Sequence, residues 1–202
     1  MTHSNTESSL SSQDLQIRVR AARPEDLPQL TEVLASSFYV STGWLGWLYP
    51  VLKLGISEDL RQRLRSHNPR YVCLAAIRQI LPPRMAALTY SDCITGTIEL
   101  SQRQAFPWQP MKAQHLYLSN LAVHHEFRRQ GVAQQLLKTC ERVALDWGFQ
   151  DLYLHVMEDN LQARHLYHKA GFRLVPTTEI PFPWRRSPRR LLMHKPLGLE
   201  QR

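Results

Sequence analysis

The chain has no apolar run long enough to cross a membrane as a helix. Its most hydrophobic stretch, Trp44 to Leu52, is interrupted by Pro50 and falls far short of the roughly 20 residues a span requires. Cysteine is scarce: Cys73, Cys93 and Cys140 form an odd set without C-x-x-C spacing, so neither a disulfide framework nor a zinc site is indicated. The eight glycines include no G-x-G-x-x-G, and none opens a Gly-Lys-Ser/Thr loop, which removes the dinucleotide fingerprint and the Walker loop. Acidic residues are outnumbered, 17 against 25 Lys and Arg, giving net +8. That balance favours anionic partners such as nucleic acid, an anionic surface or a phosphate-rich cofactor.

What is present suits one folded core. The 202 residues are 43% hydrophobic and 21% charged, without an internal repeat, the range of a single globular domain. Residues 1–14 are rich in Ser, Thr and Asn and lack an apolar run, so they are expected to be a disordered tail rather than a secretory signal, ahead of a domain at 15–198. Glu7, Asp14 and the absence of Arg from that tail argue against an organelle transit peptide. With the unpaired cysteines, this leads to an expected cytoplasmic location.

Periodicity and punctuation predict the elements. Ile17 to Arg20 reads as a strand. Arg23-Pro24-Glu25-Asp26 opens a helix carrying Leu27, Leu30, Val33, Leu34 and Phe38. A second helix is expected from Ser57, its cap, to His67, with Leu60 and Leu64 one turn apart, stopped by Asn68-Pro69. Strands follow at Tyr71 to Arg78, around Gly96 to Leu100, and from His115 to Val123, the last apolar enough to be buried on both faces. Val132, Leu136, Leu137, Cys140, Val143, Ala144 and Trp147 mark the best amphipathic helix, ended by Gly148. A strand at Asp151 to Met157, a short helix from Asn160 to Gly171 and a last strand near Arg189 to His194 complete the order. Such an order indicates a mixed α/β sheet with helices on both faces. Trp44 to Leu54 is expected to pack on the fold or line a pocket between the first two helices.

Between the strand ending at Val123 and the amphipathic helix lies Arg128-Arg129-Gln130-Gly131-Val132-Ala133. A strand-loop-helix presents free backbone N–H groups and the positive helix end to an anion. Gly131 admits close approach of a ligand to the backbone, small Ala133 leaves the same space open, and Arg128 and Arg129 add charge. On its own, R-x-x-G-x-A reads first as an ordinary helix start with an exposed Arg pair.

The surroundings carry a resemblance. Tyr117 to Phe172, about a quarter of the chain, resembles the core of the GCN5-related N-acetyltransferases. The R/Q-x-x-G-x-G/A loop and the N-x-x-A-x-x-L-Y-x-x-x-G-F helix, Asn160 to Phe172, occur in order and spacing, with Ala133 where glycine is usual. Leu54 to Leu60 and Leu191 to Leu197 resemble the cyanobacterial and plastid branch of that family. The resemblance implies a mostly antiparallel, twisted sheet of six to seven strands with about four helices, and acetyl-CoA as cosubstrate without a metal.

It also implies roles. The backbone of Leu121, Ala122 and Val123 would pair with the pantetheine arm and face the thioester carbonyl. Arg128, Arg129, Gln130, Gly131, Val132, Ala133 and Gln134 would hold the pyrophosphate. Asn160 would touch the cofactor arm, a role compatible with capping its helix. Tyr167 would protonate the departing thiolate. His155 stands where relatives carry a catalytic base, Tyr117 would orient a water with it, and Glu99 is the runner-up base, set against a plain solvent-facing strand acid. Attack is direct, so no cysteine serves as nucleophile.

The expected acceptor is a protein or peptide amine, either an α-amino terminus or a lysine. Alternatives are a small amine such as a polyamine or aminoglycoside, which the basic charge disfavours, and a cofactor-binding protein without catalysis. A basic nucleic-acid module is a further alternative, based on Arg61, Arg63, Arg65, Arg70 and the Arg185 to Arg190 cluster. These clusters lack a recognisable nucleic-acid-binding motif.

Overall fold

The structure, a computed structural model, describes residues 17–39, 49–66, 68–80, 91–104, 114–176 and 189–198. The expected tail at 1–14 and the segment Trp44 to Leu48 lie outside them.

In chain order the elements are β1 (Arg18–Ala21), a 3-10 turn (Pro24–Asp26), α1 (Leu27–Tyr39), α2 (Tyr49–Arg65), β2 (Tyr71–Ile80), β3 (Ser91–Gln104) and β4 (Gln114–Val123). A second 3-10 turn (His125–Phe127), α3 (Val132–Asp146), β5 (Asp151–Met157), α4 (Leu161–Lys169), β6 (Arg173–Leu174) and β7 (Arg190–Pro196) follow. The seven strands form one sheet in the order β1-β2-β3-β4-β5-β7-β6. It is mostly antiparallel, and β4 with β5 is a parallel pair. The expected mixed sheet with four α-helices is the fold observed.

One expectation fails. The second helix begins at Tyr49, not at Ser57, and Pro50 lies in its first turn, where a missing N–H is harmless. Ser57 is therefore inside the helix and caps nothing. Val51 and Leu54 are exposed on this helix, while Leu60 is fully buried, so its apolar residues do not form the single stripe that marks a helix in a sequence.

The chain divides into two compact units, described separately. The first comprises Met1–His67, Val72–Ile98 and Asn120–Leu136. Its strand β1 pairs with β2 from Arg18↔Ile77 to Ala21↔Leu74, and Leu30, Leu34, Leu60, Leu74, Ala75 and Ile98 are buried. Asp26, itself buried, accepts two bonds from the Arg20 guanidinium, at 2.6 and 3.0 Å, and one from the Arg23 N–H at 2.7 Å. Burial pushes the Asp26 carboxyl up, but the hydrogen bonds and charge of Arg20 with the Arg23 N–H outweigh it and hold the carboxyl below its usual value. Gly96 is where the backbone needs no side chain: a Cβ there would meet Val132 Cγ1 at 2.8 Å and the Ala122 carbonyl oxygen at 2.9 Å.

The second unit comprises Asn68–Tyr71, Glu99–Ser119 and Leu137–Arg202. Here β5 pairs with β7 over seven positions, from Asp151↔Pro196 to Met157↔Arg190. Both helices of this unit end in the same way. The Phe149 N–H reaches the Ala144 carbonyl and the Gly148 N–H the Leu145 carbonyl, both at 2.9 Å; Phe172 and Gly171 repeat the pattern on Tyr167 and His168. With Gly148 at φ 80 and Gly171 at φ 94, both are Schellman ends, which only glycine adopts without strain.

Two stability outcomes follow. Gly96→Ala forces a methyl against backbone and lowers unfolding free energy by about 1–3 kcal/mol, measurable by urea denaturation. Asp26→Asn lowers stability at pH 7. Because the folded carboxyl titrates below its unfolded value near about 3.9, the wild-type advantage is complete above that pH and disappears as pH falls through the folded value. Denaturation midpoints of the two proteins should therefore converge in acid.

Candidate active site

In the first unit, β4 does not run straight to its end. Asn120 takes φ 53, a left-handed backbone that disturbs a strand in the manner of a bulge. Leu121, Ala122 and Val123 follow it. The chain then makes the 3-10 turn, places Arg129 at φ 64 and Gly131 at φ 83, and enters α3. The first helical bond, Gln135 N–H to Gly131 carbonyl, is 3.0 Å, so the N–H groups of Val132, Ala133 and Gln134 precede the helical ladder. A Cβ placed on Gly131 would meet nothing within 4 Å. The loop therefore has the open approach, the unladdered donors and the helix-end potential that a pyrophosphate requires. Its side chains divide the work. Arg128 Nε donates to the Val123 carbonyl at 3.3 Å and Gln130 Nε2 to the Glu126 carbonyl at 2.9 Å, bracing the turn, while Arg129 is exposed.

In the second unit, the parallel ladder of β4 with β5 consists of Leu116↔Leu152 and Tyr117↔Tyr153. Side chains alternate along a strand, so His155, two residues beyond Tyr153, returns to the face that carries Tyr117. Their side chains meet: Tyr117 Oη and His155 Nδ1 are 2.7 Å apart. With the imidazole proton on Nε2, the tyrosine donates and Nδ1 accepts; with it on Nδ1 the roles reverse and Nε2 is left free to accept a proton. Tyr117 is buried with Tyr153 and Leu192, and the Arg103 guanidinium lies 3.9 Å from the centre of its ring. Sequence reasoning missed Arg103, since nothing local distinguishes it from the other arginines.

Tyr167, half-buried on α4, packs its ring edge against Phe172 at 5.9 Å between centres. Burial pushes its phenol up to about 12, with the neighbouring Tyr117 acting in the same direction. Asn160 Oδ1 accepts the Ala163 N–H at 3.0 Å, so its carbonyl is committed to the helix cap. Glu99 is buried, at 2% exposure, which removes the solvent-facing reading of that residue. Among the described residues no cluster of three or more His, Cys, Asp or Glu is placed to hold a metal.

Three arginines of the basic clusters are engaged within the protein. Arg61 pairs with Glu58 at 2.9 Å, Arg63 pairs with Asp59, and Arg70 bonds the Trp147 carbonyl at 2.9 Å. The Arg70 guanidinium also lies over the rings of Trp147 and Phe149. Arg185 and Arg186 lie outside the described residues.

The model of the acetyltransferase (GNAT) family matches residues 55–172. The chain belongs to the GNAT family. It is thereby an acetyl-CoA-dependent N-acetyltransferase. Among similar proteins, GCN5-related N-acetyltransferase 10, chloroplastic, of Arabidopsis thaliana is 27% identical over 177 residues, 85% of this chain and 68% of that one. GCN5-related N-acetyltransferase 7, chloroplastic, of the same plant is 29% identical over 138 residues, but the match spans only 50% of its length. The thialysine N-epsilon-acetyltransferase of Bos taurus is 35% identical over 117 residues, 57% of this chain and 64% of that one. Two solved structures share the fold. PaiA N-acetyltransferase of Thermoplasma acidophilum, in complex with coenzyme A, has a TM-score of 0.63 at 21% identity, covering 90% of this chain and 99% of its own. NAA60 of Arabidopsis thaliana, in complex with a bisubstrate analogue, has a TM-score of 0.62 at 20% identity, covering 91% and 100%.

These relatives correct one expectation. GCN5-related N-acetyltransferases 10, 7, 6, 4 and 5 of Arabidopsis thaliana are chloroplastic, which contradicts the cytoplasmic location inferred from the tail and the cysteines. A scarcity of Arg in fourteen residues is too weak a signal to set against five chloroplastic relatives.

Spectrophotometric titration of this GNAT protein should reveal one tyrosine ionising near pH 12, absent from Tyr167→Phe. Because this phenol is raised above its unfolded value near about 10, its contribution to stability is complete below pH 10 and declines toward pH 12.

Proposed function

We propose that the protein transfers the acetyl group of acetyl-CoA to a primary amine of a protein, an N-terminal α-amine or a lysine, by direct attack in a ternary complex. The observation that carries this reading is the 2.7 Å hydrogen bond between Tyr117 Oη and His155 Nδ1. At pH 7, freeing an α-amine of its proton costs about 1 kcal/mol and freeing a lysine about 4.6 kcal/mol. A histidine whose Nδ1 is held by a tyrosine is a suitable acceptor for that proton. In this reading the imidazole carries its proton on Nδ1 and donates it to Tyr117 Oη, which orients a water or the amine, and the free Nε2 of His155 receives the amine's proton.

The remaining roles follow the shape of each part. The N–H groups at the start of α3, with Arg129, would hold the pyrophosphate, and Arg128 and Gln130 would keep the loop in form. The backbone of Leu121 to Val123, just past the left-handed Asn120, would pair with the pantetheine arm and offer N–H groups to the oxyanion as the amine adds to the thioester carbonyl. Asn160 would set the start of α4 alongside the arm. As the C–S bond breaks, sulfur leaves with the electron pair.

Tyr167 has a particular limit. A phenol near 12 facing a thiolate whose acid has a pKa near about 8.5 cannot transfer its proton downhill, the gap amounting to about 5 kcal/mol. Tyr167 therefore stabilises the departing sulfur by donating a hydrogen bond, and bulk water completes the protonation. Glu99 remains the second candidate base. A small-amine acceptor is the second reading, supported by the thialysine N-epsilon-acetyltransferase relative.

Three measurements test this. Acetyl-CoA and a peptide library, read by mass spectrometry, should yield acetylated peptides in preference to free polyamines. Tyr117→Phe combined with His155→Ala should lower kcat/KM by about 10² or more; unchanged turnover, with Glu99→Gln inactive, moves the base to Glu99. Tyr167→Phe should lower kcat by about tenfold, the worth of one hydrogen bond to a charged group, with little change in the KM for acetyl-CoA.

A further inference from the structure

Arg103 is the residue near the Tyr117–His155 pair for which the reaction gives no task. It is an exposed residue near the end of β3, yet its guanidinium is held 3.9 Å from the centre of the Tyr117 ring. Most arginines of this protein whose contacts are defined spend their N–H groups on protein oxygen: Arg20 on Asp26, Arg23 on Glu25, Arg61 on Glu58, Arg70 on the Trp147 carbonyl. Among the described residues, no carboxylate forms an ion pair with Arg103. A guanidinium lying on an aromatic face keeps its in-plane donors directed outward, where they match the two oxygens of a carboxylate.

We propose that Arg103 is a specificity residue that binds a carboxylate carried by the acceptor close to the amine that is acetylated. The proposal rests on the reading of Tyr117 and His155 as the base pair, because that pair fixes where the amine must sit. Stacking on Tyr117 places the positive charge against the very residue that orients the amine, so an acceptor with an acidic group next to its amine satisfies both at once. The net charge of +8 adds general attraction for acidic acceptors but does not place it; the stacked guanidinium does. The carboxylate has two chemical sources, an Asp or Glu side chain beside the reactive amine of a peptide, or the α-carboxylate of a free amino acid.

The test compares kcat/KM for peptides matched except for Asp or Asn, and Glu or Gln, next to the amine, and for a free amino acid against its amide. Wild type should prefer the acid of at least one pair by about 10-fold or more, the worth of a charge-assisted hydrogen bond. The peptide and amino-acid arms identify the source. Arg103→Gln should reduce that ratio to about one, Arg103→Lys should retain part of it, and Arg103→Glu should reverse it in favour of a Lys-flanked peptide. Retained acetyl-CoA binding and melting temperature establish that the variants are folded. No acid preference in wild type, or a preference that survives Arg103→Gln, overturns the proposal. Failure of the base reading is separate: it appears as full activity of the Tyr117→Phe, His155→Ala double variant, whatever the acid-to-neutral ratio.

Discussion

The arrangement of the candidate chemistry depends on a short parallel pairing in a sheet that is otherwise mostly antiparallel. Two positions, Leu116↔Leu152 and Tyr117↔Tyr153, set β4 against β5, and the alternation of side chains then returns His155 to the face of Tyr117. A slip of one residue would send His155 to the opposite face. None of Leu116, Tyr117, Leu152 and Tyr153 is more than 5% exposed, so both faces are packed here, and a slip would force the side chains of one face into space shaped for those of the other. The distance between Tyr117 and His155 is thus a property of the core, delivered at its edge.

The loop before α3 obeys a different constraint, that of the backbone. Two successive departures to positive φ, at Arg129 and Gly131, turn the chain so that α3 begins with its first donors outside the ladder. The side chains of Arg128 and Gln130 bond to the Val123 and Glu126 carbonyls, earlier in the same turn. An arginine in such a motif is easily read as a phosphate ligand; here Arg128 Nε bonds the Val123 carbonyl, and in the reading proposed above the backbone presents the donors.

Much of this was legible in the residues. The stripe from Val132 to Trp147, the glycines at 148 and 171 and the cap at Asn160 each depend on neighbours within one helical turn, and local rules identify them. The beginning of α2 was not legible, because Pro50 read as an interruption and its apolar residues face two ways. Glu99 read either as a candidate base or as a solvent-facing strand acid, and the burial that decides against the second arises from packing distant in sequence. Arg103 was invisible for the same reason: its partner, Tyr117, stands 14 residues away across a sheet. Family resemblance supplied the roles that local periodicity could not, and it also pointed to the plastid branch, where composition had suggested a cytoplasmic location.

The strand order has a bearing on how the protein is made. Strand β7 lies between β5 and β6, although its residues are translated after both. The full seven-residue edge of β5, the strand that bears His155, therefore stays open on the ribosome until Pro196 has emerged. Of the described strands, the one translated last is an interior one, and its closure is a long-range step of the kind that slows folding. Until then the nascent chain exposes an apolar strand edge, the form most exposed to mispairing.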